Sequence, residues 1–457
     1  MHKIEKRGTF CLLLAALLGL GLALFCFRFV KDGGDWASHP YNLHLYDNAG
    51  QLGRGTVYDR DGDVLSTVDA DGTRSYHPDP DVRRATLHAV GDPAGSIGAG
   101  ALTAFADKLT GYNLLTGAYT PLESGSSLYL TIDAYLNNVA YQALGGKHGA
   151  VGVYNYRTGE ILCMVSAPAF DPADPPAIDP DDPAWDGVYV NRLLSGSAIP
   201  GSIFKVVTLD AAIEHLPDLF SRTWTCTGAV EIGGTTVTCP YAHGELDIEA
   251  ALACSCNGVF GQLAVELGGD VMQQYADAAG LTGSLEVDGI PAAKGHFNFA
   301  GDDAQLAWAG VGQGEDTLCP ITMLRYMGAI AAGGRAAEPR LIQSSATSFG
   351  LPTGVYAASK SDRLIEPDTA AKIADMMHNN VLETYGQERF PGMDICAKSG
   401  TAEVGAGRTP NAWFTGFLRD PGTPYAFIVL VENGGGGSSV AGAVASRVLT
   451  AAVEKGY

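Results

Sequence analysis

The stretch Thr9–Phe27 constrains this chain before anything else does: nineteen consecutive residues carry no charge and are rich in Leu, Ala and Gly. As a helix rising about 1.5 Å per residue they reach roughly 28 Å, close to the hydrocarbon thickness of a bilayer. A cleaved signal peptide has a shorter apolar stretch ending in small residues, whereas here Phe25 stands where a peptidase needs a small side chain. The segment reads as an uncleaved anchor, and its terminal position ahead of a polar segment argues against a buried core helix. Lys3, Lys6 and Arg7 precede it, and Arg28 and Lys31 follow, an arrangement that mildly favours a cytoplasmic N-terminus.

Beyond residue 31 the chain holds 24 Lys and Arg against 49 Asp and Glu, a net charge of −25. No dense basic cluster interrupts that acidity, so nucleic acid is excluded as a partner. At 457 residues and 46% hydrophobic, the chain has apolar material for two or three domains. The 59 glycines are scattered without a triplet period, and no internal repeat is present.

Cys11 and Cys26 lie in the anchor and seven cysteines lie beyond it, so at least one of those seven is unpaired within the chain. There is no Cys-x-x-Cys pair, and Cys254-Ser255-Cys256 is too tight for an ordinary zinc knuckle. Cys226 and Cys239 flank a Gly233-Gly234 turn between Val230–Ile232 and Thr235–Val237. A hairpin there could bring the two sulfurs together as a disulfide, or leave two free buried thiols.

Residues 32–125 read as a small mixed region with short strands and one helical run near Gly98–Leu109. From residue 126 onward the pattern changes. Ser127–Asp133 reads as a strand, with Asp133 capping a helix over Ala134–Leu144. Ala150–Tyr154 and Glu160–Val165 read as a hairpin, and the Asp- and Pro-crowded residues 171–187 as a surface loop. Helical patterning dominates from Gly201 to about Leu341. Strands return at Ile395–Glu403, Ala412–Leu418 and Tyr425–Val431, before a last amphipathic helix over about Val440–Glu454. Strands, helices, then strands predict an α+β domain whose sheet is assembled from both ends. The expected division is therefore an anchor at 1–31, a stem at 32–125 and a larger domain at 126–457.

Pro200-Gly201 opens an apolar helical run, which places Ser202 in or near its first turn and Lys205 on the same face. Ile203, Phe204, Val206 and Val207 would bury that turn. A lysine so desolvated loses proton affinity and can act as a base for a neighbouring serine, while the helix N-terminus offers N–H groups to an oxyanion. An isolated Ser-x-x-Lys is also what a capped surface helix looks like. Ser-x-Asn at Ser255-Cys256-Asn257 and Lys-Ser-Gly at Lys398-Ser399-Gly400 follow, 53 and 143 residues further along. Each of the three patterns occurs once only in the chain.

In that order the three motifs resemble the active-site set of penicillin-binding proteins and serine β-lactamases. Arg54-Gly55-Thr56-Val57-Tyr58-Asp59-Arg60-Asp61-Gly62 is similar to the stem element of class B penicillin-binding proteins. Asn191-Arg192, His243-Gly244, Gly312-Gln313-Gly314 and Pro320-Ile321-Thr322-Met323 are similar to further landmarks of that class, and the small penicillin-binding protein A group is the nearest likeness. The resemblance implies a transpeptidase domain with an antiparallel sheet flanked by helices. It implies Ser202 as nucleophile toward a peptidoglycan stem peptide, Lys205 as base, Ser255 as proton relay, and Asn257 as holder of Lys205 and substrate. Lys398 would supply positive charge, Ser399, Gly400 and Thr401 would bind substrate, with Ser399 or Thr401 on its carboxylate, and the N–H groups of Ser202 and Thr401 would form the oxyanion hole. It further implies acylation by β-lactams, no metal or cofactor, an external catalytic domain, and a polytopic membrane glycosyltransferase as a partner. Ile203, Cys319 and Ser399 each replace a threonine common in the family, and none of these changes removes a catalytic group. A D,D-carboxypeptidase, a β-lactamase or a silent scaffold could be built on the same motifs. The anchor and stem favour the synthase over a β-lactamase, and the intact set of five polar groups speaks against pure scaffolding.

Overall fold

The computed structural model describes residues 2–39, 41–42, 45–46, 51–69, 71–112, 114, 117, 125–405 and 407–457, so most of the C-terminal end of the expected stem, about 113–124, lies outside the described residues. Helix α1 (His2–Ala37) carries the apolar run and leaves it wholly exposed, long and apolar enough to cross a bilayer. The helix extends past the expected anchor boundary and its last turns reach the stem, where a side chain at Gly34 would meet Asp107 at 3.0 Å.

Strands β1 (Thr56–Tyr58), β2 (Val64–Val68) and β3 (Arg74–Tyr76) form an antiparallel meander, followed by α2 (Pro80–Val90), α3 (Ala101–Ala104) and α4 (Ala106–Leu109). β4 (Ser126–Leu130) leads to α5 (Ala134–Leu144) and the hairpin β5 (Gly149–Asn155) and β6 (Ile161–Ala167). α6 (Lys205–His215) opens the helical region. It is interrupted by the ribbon strands β7 (Trp224–Cys226), β8 (Ala229–Ile232), β9 (Thr235–Thr238) and β10 (Gly244–Leu246). Then come α7 (Ile248–Ala253), α8 (Asn257–Leu267), α9 (Gly269–Ala278), the small pair β11 (Glu286–Val287) and β12 (Ile290–Pro291), α10 (Asp303–Gly310) and α11 (Pro320–Ala331). β13 (Ile342–Thr347), α12 (Pro367–Asn380), β14 (Ile395–Ala402), β15 (Asn411–Leu418), β16 (Tyr425–Val431) and α13 (Gly442–Lys455) complete the chain.

The main sheet is antiparallel in the order β14-β15-β16-β5-β6, joining the two ends of the domain as the strand pattern predicts. Every residue of β5, β6, β15 and β16 is buried, which a sheet covered by helices on both faces requires. Val151 and Val153 belong to the layer that includes α5 and α13, whereas Ala150 and Tyr154 belong to the layer that includes α11, where Tyr154 OH lies 3.5 Å from Arg325 O. Asp133 caps α5 through Leu136 N at 2.6 Å, and Gly145 ends it in the left-handed region.

Two helices fall outside the sequence reading. Both α2 and α12 begin with a proline in the first turn, after Asp79 and Glu366. Proline there loses no helical hydrogen bond, so a residue that punctuates elsewhere here starts a helix. The region 201–341 is helical as expected, but six short strands intervene.

A second sheet, β13-β4-β1-β2-β3, combines strands from both sides of residue 125, with β4 parallel to β1 and antiparallel to β13. The Arg54–Gly62 element locks the two parts together. Buried Asp59 accepts Asp61 N and Asp63 N at 2.9 Å each within its own turn, and Ala134 N at 3.1 Å from the start of α5. Arg60 donates to Thr131 O at 3.1 Å and lies over the Tyr457 ring, while Lys455 reaches both Asp61 and Asp133. The Asp-rich loop is likewise tied to the stem, through the paired contacts of Arg83 with Asp171 at 2.6 Å.

Removing a buried carboxylate that satisfies three N–H groups leaves all three unpaired. We expect Asp59→Ala to lower the unfolding free energy by about 2–4 kcal/mol in chemical denaturation. A loss below about 0.5 kcal/mol, typical of surface positions, would refute this reading of the element.

Candidate active site

Ser202 lies in a 3₁₀ turn, Gly201–Ile203, that runs directly into α6 at Lys205. Glycine is required beside it. Gly201 has φ of +56°, and a Cβ there would meet Thr401 O at 2.9 Å. Gly201 N donates to Gly312 O at 2.8 Å, and Trp413 Nε1 of β15 donates to Ile199 O at 2.9 Å. Phe204 stacks on Phe297 with ring centroids 4.7 Å apart, and Thr208 Oγ1 donates to Gly310 O at 2.6 Å. The turn is thus pinned from the sheet, from the Gly312–Gly314 loop and from the helical core. The Ser202 side chain is half-buried, and its hydroxyl makes no hydrogen bond among the described residues.

Lys205 points away from solvent, with an exposure of 0%. Its Nζ donates to Ser255 O at 2.7 Å, Ser255 Oγ at 3.1 Å and Asn257 Oδ1 at 2.7 Å. These acceptors come from the junction of α7 and α8, where Ser255 adopts φ of +58°, a strained value for a residue with a side chain. Asn257 is fixed from behind, because its Nδ2 donates to Thr238 O at 2.7 Å. Lys398 of β14 is also fully buried, and its Nζ donates to Ser255 Oγ at 3.0 Å and Ser399 O at 3.0 Å. One hydroxyl therefore accepts from two lysines, which leaves its own proton free to point elsewhere. Burial first, and for Lys205 also the neighbouring Lys398, brings both amines down to about 7.

The three motifs expected to meet do meet. Ser255 and Asn257 hold Lys205, and Lys398 joins them through Ser255. The Lys205 amine is spent on those acceptors rather than on the Ser202 hydroxyl. Ser399 sits differently from its expected place: its Oγ lies 3.1 Å from Tyr385 OH and its N–H donates to that oxygen at 2.9 Å. Ser399 and Thr401 both alternate to the face of β14 opposite Lys398, where Ser399 meets Tyr385 and Thr401 remains exposed. Thr401 is exposed, and its Oγ1 accepts Gly437 N at 3.2 Å, keeping its hydroxyl proton available. Asn380 Nδ2 donates to Ala397 O at 3.0 Å along the outer edge of β14, where Ser399 N also points. The same alternation directs Thr401 N to that edge, beside Gly201–Ser202.

Sequence reasoning missed Tyr385, Asn380 and Trp413, which position β14 and the serine turn from distant parts of the chain with no motif spacing. It also left Cys226 and Cys239 open between a disulfide and two free thiols. The hairpin forms as expected, but both are free thiols: Cys226 Sγ lies 3.3 Å from His243 Nδ1, and Cys239 Sγ 3.7 Å from Cys256 Sγ. Asn191 and Arg192 do structural work, bracing His88 O and pairing with Glu432 at 2.8 Å.

A serine–lysine–serine–asparagine–lysine constellation built round two buried lysines on this α+β scaffold defines the penicillin-recognising class of serine acyltransferases. The chain belongs to the penicillin-binding protein transpeptidase domain family, which it matches over residues 149–450, more than half its length. It is 27% identical over 355 residues to the peptidoglycan D,D-transpeptidase PbpA of Mycobacterium tuberculosis, spanning 72% of each chain. Among solved structures it resembles the D,D-transpeptidase domain of a peptidoglycan glycosyltransferase from Eggerthella lenta, with a TM-score of 0.77, 29% identity, and 88% and 98% of the two chains covered. It also resembles the penicillin G acyl-enzyme complex of M. tuberculosis penicillin-binding protein A, with a TM-score of 0.74, 25% identity, and 88% and 99% covered.

The seating of the serine turn is directly testable. A Cβ at Gly312, whose φ is +76°, would lie 2.3 Å from Gly201 O and 2.8 Å from Phe204 Cβ. Gly312→Ala is expected to slow labelling by fluorescent penicillin at least about tenfold while the folded far-UV spectrum persists, since small displacements of a nucleophile carry large rate penalties. Labelling at the wild-type rate would contradict the packing argument.

Proposed function

We propose that this protein is a serine-type peptidoglycan D,D-transpeptidase, cross-linking stem peptides through an acyl-enzyme on Ser202. The observation that carries the assignment of roles is the buried Lys205 amine, facing three acceptors next to the serine turn. Neutral Lys205 takes the Ser202 proton as Oγ attacks the carbonyl of the penultimate D-alanine. The amine turns its lone pair toward Ser202 Oγ to take that proton, and the resulting ammonium, with three N–H bonds, then swings back onto the three acceptors beside it. The N–H groups of Ser202 and Thr401 stabilise the oxyanion. Collapse breaks the C–N bond, and the terminal D-alanine leaves with a proton relayed from Lys205 through Ser255. An amine of a second stem peptide then attacks the ester, gives up its proton along the same relay, and restores Ser202. Thr401 holds the substrate carboxylate, and buried Lys398 acts on it as positive charge and through Ser255.

A β-lactam enters the same path and stops at the ester, because its amine leaving group remains tethered. Residues 32–125 are the stem that lifts the 126–457 transpeptidase domain from the membrane, and α1 anchors both. The acidic excess beyond residue 31 and the basic residues before the anchor support an external catalytic domain. The stem and anchor are the surfaces for a membrane glycosyltransferase partner, a reading that rests on the family resemblance.

Wild type incubated with penicillin is expected to gain one drug mass, retained for many minutes, and Ser202→Ala none. Rapid loss of the adduct with drug hydrolysis would make the protein a β-lactamase, and a folded wild type that gains no mass would sink the acylation account. The pH profile of acylation gives an independent check. Acylation needs neutral Lys205, so its rate rises as pH passes upward through about 7, and it needs charged Lys398, so it falls above about 7. The expected profile is a bell near neutrality whose two limbs belong to the coupled pair. Lys398→Met removes a neighbouring positive charge, lets Lys205 hold its proton more tightly and shifts the rising limb to higher pH. A rising limb that stays put or moves down in that variant would contradict the coupling.

A further inference from the structure

Four side chains that no step of the acyl transfer uses converge behind the Ser255–Asn257 turn. Cys226 ends β7, Cys239 follows β9, His243 precedes β10, and Cys256 is the residue before α8, between the relay serine and Asn257. One ligand atom from each lies within 4.8 Å of all the others. Cys226 and Cys256 are buried, and Cys239 and His243 half-buried.

The spacings are those of a coordination shell. Tetrahedral zinc, at about 2.3 Å from sulfur and about 2.0–2.1 Å from nitrogen, has edges of about 3.8 Å between sulfurs and about 3.6 Å from sulfur to nitrogen. Cys239 Sγ and Cys256 Sγ are 3.7 Å apart, and Cys226 Sγ and His243 Nδ1 are 3.3 Å apart. The ring nitrogen that faces Cys226 Sγ is Nδ1, and the neutral tautomer protonated at Nε2 offers its lone pair there. The four groups come from the two strands of the β7–β10 ribbon, from the end of the β8–β9 hairpin and from the cap of α8, and no hydrophobic requirement gathers three thiols and an imidazole from those places. Three soft thiolates with one imidazole make a Cys₃His set, which selects zinc, and four protein ligands leave no open position for catalysis.

We propose that Cys226, Cys239, His243 and Cys256 bind one zinc ion in a closed structural site. The site braces the catalytic turn from behind. It fixes Cys239, whose neighbour Thr238 accepts Asn257 Nδ2, and Asn257 Oδ1 in turn holds Lys205. Spacings of twelve, three and twelve residues between successive ligands match no short zinc motif, which is why the set is invisible until the ribbon folds. The proposal rests on these four residues alone and is independent of the acyl-transfer reading.

The test uses the full chain in detergent, purified without chelator or metal-affinity resin. Elemental analysis is expected to find about one zinc per chain. Replacing the metal with Co²⁺ is expected to produce the visible bands of a tetrahedral cobalt–thiolate centre. Cys226→Ser and Cys239→Ser should each retain less than about a tenth of the wild-type zinc, whereas Cys396→Ser, which alters a buried thiol elsewhere, should retain all of it. Wild-type protein that is free of zinc and takes up Co²⁺ without those bands overturns the proposal, and so does an intact mass two hydrogens short, which would mark a disulfide. Equal zinc loss in Cys396→Ser overturns it as well. Should the serine variants fail to fold, the wild-type zinc content and cobalt spectrum decide the matter.

Discussion

The site depends on keeping a lysine amine out of water next to a serine. Lys205 is fully buried, and a charged ammonium in that position is tolerated only because three oxygens accept its three protons. Much of the surrounding architecture follows from supplying those acceptors. Ser255 is held in the left-handed region so that its carbonyl and hydroxyl both face Nζ. Asn257 is clamped at its other end by Thr238 O, and β14 brings a second buried lysine to the far side of the same hydroxyl. Two amines sharing one acceptor repel each other when both are charged. That repulsion, added to burial, makes a lysine into a base usable near neutral pH.

The rest of the fold can be read as the frame for that contact. α11 and α12 on one face of the sheet, and α5 and α13 on the other, keep β14 and β15 rigid. Trp413 and the Gly312 carbonyl carry that rigidity to the serine turn. Strands β1, β2 and β3 share a sheet with β4 and β13, and Asp59 inserts its carboxylate at the head of α5. Helix α1, long and apolar enough to cross a bilayer, meets this region beside Asp107 of α4.

The parts of this arrangement that could be read from the sequence share one property: they are local. Asp133 before Ala134–Leu144, the hairpin at residues 149–167 and the three motifs with their order all depend on residues near one another in the chain. The helices at Pro80 and Pro367 are equally local, each opening on a first-turn proline, yet they fall outside the sequence reading. What could not be read lies in contacts between distant segments. The contact of Ser399 with Tyr385, which sits in a π-helical turn beyond α12, is of that kind. The Cys226, Cys239, His243 and Cys256 cluster was divided in the sequence between a disulfide candidate and unrelated thiols, because the ribbon that unites it has no periodicity to reveal its register.

The central claim is that Lys205 and Lys398 are buried amines that share Ser255 and release protons near neutrality. Direct observation of their side-chain nitrogens tests it: ¹⁵N-lysine labelling of the catalytic protein, with the two Nζ signals assigned by Lys205→Met and Lys398→Met and followed through a pH titration. The account predicts that both signals move with midpoints near 7, and that removing Lys398 raises the midpoint of Lys205. Two signals that titrate independently, at the ordinary lysine value of about 10.4, would contradict it.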